Sequence, residues 1–140
     1  MKCYIAGPLF TEGDRWYLER IDNVCKRLGI ATYLPHRDAG LCPSSEKNTR
    51  QFFLTDYENV ISSDFMIAVL HGTDIDSGTA WEIGCAYANG KDIISIAEDI
   101  RIAGIEANIN LMISNSTNVV YTFEEMGKVL EQYVNAHNLK

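Results

Sequence analysis

Two aspartates, a run of small residues and a glutamate fall within one short stretch, Asp74-Ile75-Asp76-Ser77-Gly78-Thr79-Ala80-Trp81-Glu82. They follow the apolar run Phe65-Met66-Ile67-Ala68-Val69-Leu70 and lead into Ile83-Gly84-Cys85-Ala86-Tyr87-Ala88, so the stretch reads as the turn from a buried strand into a helix. In an open α/β sheet, ligands bind at the carboxyl ends of the strands. A carboxylate held in a crevice there is a candidate nucleophile or general base.

The same residues also suit a purely structural role. Thr79-Ala80-Trp81-Glu82 fits the capping box, in which Glu reaches back to an exposed backbone N–H at a helix start. Asp76 or Ser77 fits an ordinary N-cap. The local pattern leaves both roles open, and the elements that position the turn must decide between them.

Those elements alternate. Lys2–Ala6 forms a short apolar strand that runs into Gly7-Pro8, and apolar residues at helical spacing predict a helix from about Asp14 to Leu28, stopped by Gly29. A second strand spans Ile30–Leu34 and is closed by Pro35, and the polar segment His36–Lys47 reads as a loop over the ligand edge. A helix over about Thr49–Ile61 precedes the third strand, which Asp64 opens; the helix after the acidic turn spans Trp81–Ala88 and ends at Asn89-Gly90. Lys91–Ala97 is the fourth strand, residues 98–116 are irregular with a short helical piece over Asn108–Met112, Asn118–Tyr121 is the fifth strand, and Phe123–Ala136 is an amphipathic terminal helix.

Strands alternating with helices imply a parallel, right-handed α/β arrangement. The fold class expected is a single-domain, flavodoxin-like three-layer sandwich spanning residues 1–140, with a five-stranded parallel sheet in the order 2-1-3-4-5. That order sets the ends of the first and third strands side by side, so Gly7-Pro8 and the Asp76–Glu82 turn face one crevice. This convergence raises the chemical role of Glu82 above the capping role.

Bulk properties narrow the class. At 140 residues the chain can bury one substantial core, and its 46% apolar and 22% charged content is that of an ordinary globular protein. A net charge of −7 argues against a nucleic-acid polymer as partner, though not against a small nucleoside. Cys3, Cys25, Cys42 and Cys85 have no metal-ligand spacing and are expected to be buried, reduced thiols, as in a cytoplasmic chain. No apolar run approaches a membrane span and no signal peptide is recognised, so neither a membrane nor secretion is expected.

Several separated segments together resemble the nucleoside 2-deoxyribosyltransferase family: Tyr4-Ile5-Ala6-Gly7-Pro8 with Phe10, then Asp56, Asp64, Asp76-Ser77-Gly78-Thr79-Ala80-Trp81-Glu82-Ile83-Gly84, and Asn110-Leu111-Met112. They occur in the family's order and span most of the chain. The resemblance implies that Glu82 attacks the anomeric carbon of a 2′-deoxynucleoside, the base departs, and a second base takes the sugar from a covalent intermediate with retained configuration. An oxocarbenium-like transition state explains the need for a carboxylate. Glu82 is expected to be anionic, its place in the first helical turn favouring the charge through the helix dipole.

By the same resemblance Asp56 and Asp76 surround base and sugar, and one of them can serve as general acid if its crevice raises its pKa. Tyr4 orients Glu82 by a hydrogen bond, although the β propensity of Tyr fits a core aromatic equally well. Gly7, Phe10, Asn110 and Met112 are the substrate-binding candidates. Gly7 permits close backbone approach, while Asn110 and Met112 match a segment that family members insert into a neighbouring subunit's site. The resemblance thus implies 2′-deoxynucleosides and free nucleobases as partners, at least a homodimer with shared sites, and no metal or cofactor.

Two rivals share the scaffold. A receiver-like or flavin-binding module is disfavoured because Gly7-Pro8-Leu9-Phe10 replaces the acid pair or phosphate loop such modules carry after the first strand. A nucleoside-monophosphate N-hydrolase uses the same nucleophile but must cradle a phosphate. The chain shows no clear cradle, yet Arg15, Arg37 and Arg50 leave that reaction open.

Overall fold

The computed structural model describes residues 1–98 and 109–138. Five parallel strands form one sheet in the order β2-β1-β3-β4-β5: β1 (Lys2–Ala6), β2 (Ala31–Tyr33), β3 (Phe65–Val69), β4 (Asp92–Ile96) and β5 (Asn118–Val120). The helices are α1 (Glu12–Arg27), α2 (Pro35–Asp38), α3 (Thr49–Ser62), α4 (Ser77–Ala88), α5 (Leu111–Ser114) and α6 (Phe123–Asn138). The expected sandwich and strand order are therefore those observed.

The alternation of side chains along each strand builds two cores. Cys3 and Ile5 of β1, Ile67 of β3 and Ile96 of β4 pack with Leu18 and Ile21 of α1 and with Met126 and Leu130 of α6. Tyr4 and Ala6, with Met66, Ala68 and Ile93, face the other way, onto Val60 of α3 and Ile83 of α4. This parity puts the Tyr4 side chain on the layer that carries the acidic turn. At the other end of the strands Asp64 fastens β1 to β3, its carboxylate accepting from the Lys2 backbone N–H at 2.7 Å, far from the ligand edge.

Several boundaries differ from the sequence expectation, for local reasons. The first helix starts at Glu12 because Thr11 and Asp14 form a reciprocal capping box. Pro35 does not merely end the second strand; it stands at the first position of the short α2, which runs on through residues 36–38 into the segment expected to be a loop. Arg37 and Asp38 hold α2 in place: Asp38 accepts from the Leu34 N–H at 2.9 Å, and Arg37 donates to Asp38, to Asp22 and to the Thr32 carbonyl. Helix α4 begins at Ser77, four residues before Trp81. The short helical piece expected over Asn108–Met112 is the helix Leu111–Ser114; Asn108, and residues 99–108 of the segment expected to be irregular, lie outside the described residues.

The cysteines also divide. All four are free, but only Cys3 and Cys25 are buried; Cys42 is exposed on the segment after α2 and Cys85 is half-buried on α4. Among the described residues no helix is long and apolar enough to cross a membrane.

Gly7 has a packing reason to lack a side chain. A Cβ there would meet Leu18 Cδ2 at 2.8 Å and Val69 Cβ at 3.0 Å. Overpacking of this kind costs about 1–3 kcal/mol. Gly7→Ala is therefore expected to lower the urea-unfolding free energy by that amount, and unchanged stability would show that this contact is soft.

Candidate active site

Helix α4 sets the site's geometry. Asp76 is its N-cap, and its carboxylate accepts from the Thr79 N–H at 2.9 Å and from the Thr79 hydroxyl at 3.1 Å. The cap is thus filled by Asp76, and Glu82 falls in the second turn. The capping-box role for Thr79–Glu82 does not occur. Glu82 Oε1 instead accepts a hydrogen bond from the Tyr4 hydroxyl at 2.7 Å, tying α4 to the fully buried side chain of β1.

A second pair lies beside the first. The Tyr33 hydroxyl, from the end of β2, donates to Asp56 Oδ1 of α3 at 2.8 Å. The two tyrosine rings stack with centroids 5.4 Å apart and planes 25° from parallel. Asp56 and Glu82 line one cavity of about 260 Å³ together with Phe53, Tyr57, Gly78 and Trp81. Asp56 also lines a neighbouring cavity of about 300 Å³, walled by Leu9, Phe10, Arg15, Leu41 and Cys42. One carboxyl therefore borders two adjoining spaces.

Burial perturbs both acids. Burial raises the Glu82 carboxyl to about 8; the Tyr4 hydrogen bond opposes that rise, and the charges of Asp56 and Asp76 add to it. Burial also raises Asp56, against the Tyr33 hydrogen bond. The expectation of a Glu82 held anionic by the helix dipole is thus corrected: the dipole's influence fades beyond the first turn, and desolvation dominates in the second. Both tyrosines are raised as well, first by burial and then by the acids they serve.

A larger hollow, about 680 Å³, lies at the other end of the sheet between Lys91, Asp92, Asn118 and Tyr133. It holds no pair of acids, and its Asp92 already accepts from the Tyr133 hydroxyl at 3.0 Å. Size alone does not make it the site. Among the described residues no group of three or more His, Cys, Asp or Glu side chains is arranged to hold a metal ion.

Comparison with known proteins supports the fold and gives the family. The family model described as nucleoside 2-deoxyribosyltransferase matches residues 3–132. The chain belongs to that family. A conserved protein from Enterococcus faecalis V583 is similar at 29% identity and a TM-score of 0.79, over 95% of this chain and 98% of that one. A 2-deoxyribosyltransferase from Bacillus psychrosaccharolyticus shares the fold at 24% identity and a TM-score of 0.76, over 91% and 90% of the two chains. A CMP N-glycosidase from Clostridium botulinum shares it at 23% identity and a TM-score of 0.65, over 95% and 99%. A search of curated protein sequences finds no match. Family membership supports deoxyribosyltransferase activity.

Of the residues singled out for this family's chemistry, the structure brings together Tyr4, Asp56 and Glu82, with Asp76 at the start of the same helix. Phe10 stands 72% exposed at the second cavity that Asp56 borders. Gly7 turns instead toward Leu18 and Val69, on the opposite core. Asn110 and Met112 line neither Asp56 cavity: Asn110 caps α5 by accepting from the Met112 N–H at 2.9 Å, and Met112 is 71% exposed. Sequence reasoning missed Tyr33, whose strand pattern gave no chemical signal; only its stacking on Tyr4 and its bond to Asp56 mark it.

The buried carboxyl has a stability consequence. A carboxyl raised on folding contributes fully below its ordinary value of 4.5, and that contribution is lost as pH climbs through about 8. Glu82→Gln is expected to match the wild-type Tm near pH 4.5 and to exceed it at pH 9 by at least about 4 °C, the shift that roughly 1 kcal/mol gives a domain of this size. A Tm difference that stays flat across that window overturns this account of Glu82.

Proposed function

We propose that this chain is a transferase that moves 2-deoxyribose between nucleobases, with Glu82 as nucleophile. The observation that carries the reading is the 2.7 Å Tyr4–Glu82 hydrogen bond beside a cavity that also holds Asp56. Tyr4 fixes one carboxylate oxygen and leaves the other free to attack the anomeric carbon. As the bond from sugar to base breaks, its electron pair goes to the base, and Asp56, raised by burial, supplies the proton. Positive charge growing on the sugar offsets the cost of an ionised, desolvated Glu82, so stabilisation is greatest in the transition state. A second base then attacks the glycosyl ester, returns its proton to Asp56, and leaves with the sugar in its original configuration.

A monophosphate N-glycosidase is the second reading, and Arg15 is the observation that favours it, since it lines the cavity next to Asp56. Two facts weigh against a phosphate there. One Arg15 nitrogen donates to the Leu9 carbonyl at 2.9 Å, and Arg37 is held by Asp22 and Asp38. Incubation with deoxyinosine plus adenine, and separately with deoxynucleoside monophosphates, separates the two. Deoxyadenosine is the expected product; free base with deoxyribose 5-phosphate supports the glycosidase instead. Glu82→Ala is expected to remain folded and to lower turnover about a thousandfold or more, the usual effect of losing a covalent nucleophile. Near-normal transfer by that variant would falsify the mechanism.

We infer further that the working unit is a homo-oligomer with shared sites. Leu111, Met112 and Tyr87 are 68%, 71% and 60% exposed and line one hollow on α4 and α5, while the exposed Phe53 and Trp81 line the Glu82 cavity. Exposed apolar area of this extent marks an interaction face, and transfer outruns hydrolysis only where water is kept out. A neighbouring subunit bringing Asn110 and Met112 would cover the cavity. Mixing inactive Glu82→Ala with inactive Asn110→Ala protein is expected to restore activity once tagged co-purification shows subunit exchange. Mixed oligomers without activity overturn the shared site.

A further inference from the structure

We propose that Glu82 and Asp56 hold a single proton between them near neutral pH, and that Tyr4 and Tyr33, one donor to each acid, set which of the two carries it. Tyr33 is then the positioning residue for Asp56, as Tyr4 is for Glu82. The proposal rests on the proposed function insofar as the attack requires the proton on Asp56 and the charge on Glu82.

The geometry is paired throughout. Each tyrosine reaches the ligand edge from a neighbouring strand, Tyr4 from β1 and Tyr33 from β2, in direct register with one another. Each hydroxyl donates to one carboxyl, at 2.7 and 2.8 Å. The rings stack, so neither hydroxyl swings without disturbing the other. Two carboxyls lining one small cavity repel when both are charged, so the first ionisation opposes the second and the titration belongs to the pair. A hydrogen bond donated to a carboxylate favours its charged form. Tyr4 therefore draws charge to Glu82, and Tyr33 draws it to Asp56.

Other groups around the pair are fixed. Glu82 also faces Asp76, whose charge disfavours its ionisation, and the Cys85 thiol of its own helix, itself raised by burial and then by Glu82. Asp38 of α2 bears on Tyr33, and Arg15 of α1 lines the outer cavity of Asp56. The Lys2 ammonium sits 6.0 Å from the Tyr33 ring centroid and is engaged with Asn59 and Ser62. Asp56, bordering two cavities, is the more open acid and releases the first proton; the more enclosed Glu82 keeps the second until about pH 8. The productive arrangement moves that second proton to Asp56. In the forward step it passes from Asp56 to the leaving nitrogen while Glu82 forms its bond to the sugar; the incoming base restores it.

Carbon-detected NMR of labelled Asp and Glu carboxyls reads this without any substrate, so it stands apart from whether the enzyme transfers or hydrolyses. In the wild type, Glu82 and Asp56 are expected to titrate together in two steps. Tyr33→Phe, which keeps the ring stack, should raise the lower step by roughly one pH unit, and Tyr4→Phe should raise the upper step by about as much, the size expected for losing a charge-assisted hydrogen bond. In kcat/KM the acid limb should move for Tyr33→Phe and the alkaline limb for Tyr4→Phe. A purely structural Tyr33 moves neither step. If Tyr33→Phe does not fold, Asp56→Asn serves: it should leave one Glu82 step, displaced below the wild-type upper step. Independent single titrations of the two acids, or a Glu82 step unmoved in Asp56→Asn, overturn the proposal.

Discussion

The carboxyl of Glu82 is held out of bulk water against the hydroxyl of Tyr4, and each layer of the fold contributes to that contact. Strand parity turns Tyr4 toward the α3–α4 layer, while its neighbours Cys3 and Ile5 fill the opposite core. Parallel pairing of β1 with β3 brings the strand that carries Tyr4 next to the strand that leads into α4. The Asp76 cap fixes where α4 starts, and with it which helical turn presents Glu82. A change in any one of these would move the carboxyl away from its donor and leave it buried without that hydrogen bond.

Acids gathered at one edge are a cost in the free protein and an asset in the reaction. Burial disfavours the charge on Glu82, and the charges of Asp56 and Asp76 add to it, which is why Glu82 resists ionisation until about pH 8. In the proposed reaction, a substrate that becomes cationic as its bond breaks would relieve that strain on Glu82 at the moment it is needed. The walls suit such a substrate: Phe53, Tyr57 and Trp81 contact one another edge-on or stacked around the cavity and lower its dielectric. Helix α2, clamped by Arg37 to Asp22 and Asp38, supports the segment whose Leu41 and Cys42 close the second cavity.

Solved structures with this architecture include a deoxyribosyltransferase and a CMP N-glycosidase, each at less than 25% identity to this chain. The scaffold therefore accommodates both transfer to a base and transfer to water, and the outcome turns on side chains that line the cavities and on how well water is kept from them. In this chain the features behind the proposed transfer are local: an arginine already engaged by a backbone carbonyl, and aromatic side chains lining the Glu82 cavity.

The sequence by itself determined the alternation of strands and helices, the strand order and the family. These follow from local periodicity, from turn residues, and from motifs whose order along the chain survives without coordinates. It also pointed to Tyr4 and Glu82 as partners, through resemblance. Only the tertiary structure decided that Asp76 caps α4 and pushes Glu82 into the second turn, that Pro35–Asp38 forms a helix, and that Tyr33 serves Asp56. It alone decided the protonation of Glu82, against the expectation drawn from the helix dipole. The reason is physical: a carboxyl's ionisation depends on how much water and which charges surround it, and here those surroundings are assembled from β1, β2, α3 and α4, elements far apart along the chain that meet only when the sheet is closed by its helices.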